Sequence, residues 1–76
     1  MRKIIFSQTA INQLVLFKTG NQKLVFKILE LVAEIQKSPF EGKGKPEALK
    51  DNLSGYWSRR ISEEHRLVYK VTEENI

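Results

Sequence analysis

No cysteine occurs in the sequence, and prolines number two, glycines four and tryptophans one. Without cysteine no disulfide can reinforce the fold, and the absence suits a reducing compartment. Long apolar runs are missing too. The longest fall far short of the roughly 18 residues that cross a bilayer, so no membrane association is expected. The start, MRKIIFSQTA, is basic but holds only three consecutive apolar residues, too few for a secretory signal. No repeat or low-complexity linker divides the chain. Its 76 residues therefore read as one small domain, spanning 1–76, in the cytoplasm. A domain of that size buries only about 60% of its unfolded surface. Thirteen Lys and Arg stand against nine Asp and Glu, a net charge of +4 with the signs mixed. That balance permits a nucleic-acid partner without requiring one.

The residues that are present divide into clear elements. Lys3 to Phe6 has the character of a short buried strand. Ser7 is placed to cap a helix whose apolar positions are Ala10, Ile11, Leu14 and Val15. Thr19-Gly20-Asn21 ends it, with Gly20 suited to a left-handed terminus. A second helix starts near Asn21, with Leu24, Val25, Ile28, Leu31, Val32 and Ile35 on one side. Lys23, Lys27, Glu30, Glu34 and Lys37 cover the other side, and Pro39 stops it. The Gly-containing turn between the two predicts an antiparallel helical hairpin. FEGKGKPEALKDNLSG then carries three of the four glycines and reads as loop, with one helical turn expected over Glu47 to Asp51. Tyr56 to Ile61 and Arg66 to Val71 read as strands. The order indicates an α+β fold: an N-terminal strand and a helical hairpin packed on a small antiparallel sheet, one face of which stays free.

The turn between the last two strands decides what that free face carries. A two-residue turn at Glu63-Glu64 would lack the Gly, Asn or Asp that such turns need. A three-residue turn, Ser62 to Glu64, sets Arg60 opposite Arg66, on a face with Tyr56 and Ser58. Two facing arginines repel unless an anion lies between them. The face is then either a solvated surface balanced by Glu63 and Glu64, or a phosphate-binding surface whose aromatics stack on bases. His65 has no partner at metal-ligand spacing, so no metal site is expected. GKGKP lacks the spacing and the Ser or Thr of a P-loop.

PFEGKGKPE (39–47), LSGYWSRRI (53–61) and EEHRLVY (63–69) together resemble the core motif of the YoeB toxins, within the broader RelE-like (RelE/ParE) superfamily. The resemblance covers nearly the whole chain, though the helices match by pattern more than by residue. It implies the toxin of a type II toxin–antitoxin system, a ribosome-dependent endoribonuclease that cuts messenger RNA. The RNA's own 2′-hydroxyl acts as nucleophile, with no metal or organic cofactor. It also implies a YefM-type antitoxin that folds over the active surface, and a possible homodimer. By the same resemblance Glu47 is the general base and Arg66 stabilises the phosphorane. Arg60 and Lys50 hold the RNA backbone, Glu64 orients one of these cations, and Lys43 and Lys45 attract ribosomal RNA. The family's last strand closes with a His-Tyr pair, the histidine serving as general acid, and these 76 residues stop where that strand begins. The chain thus reads as a domain shortened at its C-terminus, with weak or absent cleavage and some binding retained. Two alternatives stand beside the enzyme. One is a catalytically inactive antitoxin- or ribosome-binding module. The other, a DNA-binding domain, lacks a recognition helix of one charge.

Overall fold

The computed structural model describes residues 2–76. The order is α1 (Gln8–Gly20), α2 (Gln22–Lys37), β1 (Glu47–Ala48), a 3₁₀ turn (Asp51–Leu53), β2 (Tyr56–Arg60) and β3 (Arg66–Lys70). The three strands form one antiparallel sheet in the order β1-β2-β3, giving the expected α+β architecture. No helix among the described residues is long and apolar enough to cross a membrane.

Ser7 caps α1 as its position suggests, its hydroxyl accepting from the Ala10 N–H at 3.1 Å. The inward side of α1 differs from expectation. Ala10, Leu14 and Phe17 are half-buried, whereas Ile11 and Val15 are exposed. Gly20 does not take a left-handed conformation but stays in the helix, and Asn21, at φ −155, breaks the chain between α1 and α2. In α2 the pattern holds. Ile28, Leu31 and Ile35 are buried, and Leu24, Val25 and Val32 are half-buried. Spacing of this kind lays one helix face on the sheet.

Two expected elements are replaced. Lys3 to Phe6 is extended but not a buried strand: Ile5 is 63% exposed, and the segment makes one parallel bridge, Lys3 to Asn75. Backbone bonds from Lys3 to Glu74, Ile5 to Ile76 and Ile76 to Lys3, each 2.9 Å, tie it to residues 74–76. Glu47 to Asp51 is not a helical turn either. Glu47 and Ala48 pair with Ser58 and Trp57 as β1, and the tight turn comes later, at Asp51–Leu53. The good helix formers at 48–50 are overruled by pairing with β2.

Candidate active site

The turn from β2 to β3 has the three-residue form. Arg60 stands opposite Arg66, and the Ile61 N–H donates to the His65 carbonyl at 2.9 Å. β2 bonds outward in alternation. The Arg60 N–H donates to the Gly44 carbonyl at 2.6 Å, while Tyr56 accepts from the Leu49 N–H at 2.9 Å. Arg60 and Arg66 therefore form a non-hydrogen-bonded pair, the closer of the two antiparallel spacings, with Cα atoms roughly 4.5 Å apart. Glu47 lies opposite Ser58 on the same face. One Arg66 Nη lies 3.4 Å from the Glu47 carboxylate and 3.4 Å from the Ser58 hydroxyl. Ser58 is buried beneath this group, whereas Glu47 and Arg66 stay 65% and 49% exposed. One carboxylate thus faces two guanidiniums, and Arg60 has no ion-pair partner among the described residues. The surplus positive charge, in planar forks, suits a phosphate.

The other residues singled out from the sequence lie around this group. Lys50 is exposed at the entry to the 3₁₀ turn, and Lys45 is exposed just before β1. Lys43 turns to α2, its ammonium 2.9 Å from the Glu30 carboxylate. That hydrogen bond holds the Glu30 carboxyl below its ordinary value and raises the Lys43 amine. Glu64 sits exposed in the turn with no ion pair among the described residues, its N–H lying 3.3 Å from the Ser62 hydroxyl. The carboxylate beside Arg66 is that of Glu47. His65 points to the opposite face, its ring 5.1 Å from Phe17 in an edge-on contact.

Arg59 was given no role from the sequence, yet it holds the loop that delivers Glu47. Its side chain is fully buried, and its guanidinium donates to the Glu34 carboxylate at 3.3 Å and the Tyr69 hydroxyl at 3.1 Å. It also donates to the carbonyls of Lys43 at 3.2 Å, Glu41 at 2.8 Å and Ser38. Tyr69 passes the bonding on to the Pro39 carbonyl at 2.7 Å. The signal was an arginine at an inward strand position between Trp57 and Ile61, matched by an acidic residue on α2. Within this loop Gly42 adopts φ +117, where a Cβ would collide with the Glu34 carboxylate. Lys45 and Asp51, at φ +51 and +59, bracket β1 in the left-handed region. Such conformations persist only where the surroundings enforce them.

Residues 6–76 match the family described as YoeB-like toxin of bacterial type II toxin-antitoxin system. Toxin YoeB of Escherichia coli strain K12 is 50% identical over 74 residues, covering 97% of this chain and 88% of that protein. The YoeB dimer from Staphylococcus aureus has a TM-score of 0.89 at 47% identity, covering 97% of this chain and 86% of its own. A heterotetrameric YoeB–YefM toxin–antitoxin complex from the same organism gives 0.88 at 46% identity, over 99% and 87%. By sequence and by fold, the chain belongs to the YoeB-like toxins of bacterial type II toxin–antitoxin systems.

Proposed function

We propose that this toxin is a metal-independent endoribonuclease that cuts messenger RNA on the ribosome, in the cytoplasm. The observation that carries the reading is the Glu47–Arg66–Ser58 group beside Arg60, which has no ion-pair partner among the described residues, on an exposed sheet face. Glu47 takes the proton of a ribose 2′-hydroxyl, and the freed oxygen attacks the adjacent phosphorus. Negative charge grows on the phosphate oxygens, where Arg66 and Arg60 neutralise it. The bond to the 5′-oxygen then breaks, leaving a cyclic phosphate and, once that oxygen is protonated, a 5′-hydroxyl. An exposed ion pair such as Glu47–Arg66 is worth only about 0–1 kcal/mol, so an incoming phosphate can open it. Lys50 and Lys45 extend the positive track, and Lys43 adds to it less, its ammonium being paired with Glu30.

The leaving oxygen needs a proton, and His65 lies on the wrong face to give one. A general acid is worth about 10²–10⁴-fold, so cleavage at full rate needs a proton donor other than His65. The same observation favours the second reading, a module that binds antitoxin or ribosome without cleavage. The solved YoeB–YefM complex and YoeB dimer support a YefM-type antitoxin and a second copy as partners.

Mapping cleavage sites in a cell-free translation reaction separates the two readings. Glu47→Gln and Arg66→Gln are each expected to lower cleavage by about 10²-fold or more while ribosome binding persists. Binding without cleavage, unchanged by either substitution, would establish the inert module.

A further inference from the structure

We propose that Ser58 is a positioning residue: its buried hydroxyl is the seat that keeps Arg66 on the reacting phosphate after Glu47 has let go of it. The assignment rests on the endonuclease reading and deepens it. Ser58 is 1% exposed and lies in the middle of β2, opposite Glu47 on β1 and Val68 on β3. A β-branched apolar residue would suit such a place better, because a buried hydroxyl costs free energy unless it is bonded. Among the described residues the partner of that hydroxyl is one Arg66 Nη, at 3.4 Å. Arg66 stands diagonally across from Ser58, within reach of a long side chain. Its guanidinium therefore crosses the sheet over Ser58 on the way to Glu47.

The same Nη makes both contacts, 3.4 Å from the Glu47 carboxylate and 3.4 Å from the Ser58 hydroxyl. It carries two N–H donors, one for each acceptor. RNA treats the two acceptors differently. Glu47 is exposed, and when it turns to the 2′-hydroxyl a phosphate oxygen takes its place on Arg66. Ser58 is neutral and buried, so an arriving anion leaves its bond standing. Without that bond Arg66 is pushed outward, because Arg60 faces it and like charges repel. A released arginine samples many rotamers, and the share of time it spends on the phosphate falls.

The test follows the Arg66 Nε–H signal by NMR relaxation in the parent toxin and in Ser58→Ala, with and without a high concentration of inorganic phosphate. The substitution only removes an oxygen, so the urea midpoint is expected to stay nearly unmoved. With phosphate present, Arg66 is expected to remain ordered in the parent and to lose order in Ser58→Ala. In cell-free translation Ser58→Ala is expected to slow single-turnover cleavage about ten-fold, with ribosome affinity unchanged. In an Arg66→Gln background the same substitution is expected to cost nothing further, because Ser58 acts through Arg66. Unchanged Arg66 order, or an equal loss of cleavage in both backgrounds, would overturn the seat. Loss of order in Ser58→Ala with no cleavage by the parent keeps the seat and overturns the endonuclease reading. If the Arg66 signal does not respond to phosphate at all, both fall.

Discussion

Two arginines adjacent in sequence serve opposite ends in this toxin, and burial separates them. Arg60 is exposed and has no ion-pair partner among the described residues, so its value lies in what it can attract. Arg59 is sealed from water and saturated by five acceptors, so its value lies in what it holds. Removing a buried charge partner costs about 3–5 kcal/mol, and a domain of this size has a total stability of roughly 4–11 kcal/mol. Arg59→Leu is therefore expected to lower the urea midpoint by about a quarter or more. Glu47→Gln is expected to leave the midpoint almost unmoved, because its ion pair is solvent-screened. A large stability loss in Glu47→Gln would contradict the assignment of that residue to chemistry rather than to structure.

At the scale of elements, α2 and the β2–β3 turn were legible because each rests on a repeating local rule. The helical period of Ile28, Leu31 and Ile35 survives any detail of packing, and the absence of Gly, Asn and Asp at Glu63-Glu64 selects the longer turn. β1 was not legible. Two residues have no period, and Glu47-Ala48 is a strand only because Ser58 and Trp57 lie beside it. The same limit applies to Lys3–Phe6, where an apolar run could not show that its partner would be the three residues 74–76. For the site, the facing of Arg60 and Arg66 followed from alternation, whereas the contact of Glu47 with Arg66 depends on a loop held by Arg59. The link from that loop back to α2 also yields a pH signature. Lys43 keeps the Glu30 carboxyl below its ordinary 4.5, so its contribution is present above that pH and lost as the pH falls through the lowered value. Acidification from pH 7 to 3 is accordingly expected to destabilise the parent chain slightly more than Lys43→Ala. The difference, read from paired urea titrations, is expected to fade in high salt.

Across the whole molecule, little is deeply buried: Ile28, Leu31, Ile35 and Tyr69, with Pro39, are the buried apolar residues among those described. The region beside β3 is correspondingly open. Two clefts of about 330 and 460 Å³ run along it, lined by Phe6, Ala10, Leu67 and Val68 among others. Alternation in the β2–β3 ladder turns the N–H groups of Leu67 and Tyr69 toward β2 and those of Arg66, Val68 and Lys70 toward this opening. Amide exchange followed by NMR is expected to alternate along β3, slow at 67 and 69 and fast at 66, 68 and 70. Uniform protection would mean that the edge is covered in solution. The Arg59 hub also has a consequence in time. Its bonds join segments 10 to 25 residues away, and the full set is complete only when the sheet, the end of α2 and the intervening loop have met. Closing such loops costs entropy before the contacts reward it, so the complete hub is expected to form late in folding. Arg59→Lys is accordingly expected to leave the refolding rate nearly unchanged and to raise the unfolding rate by almost the whole loss of stability. The buried guanidinium then acts as a latch on the finished toxin, setting how long it stays folded rather than how fast it forms.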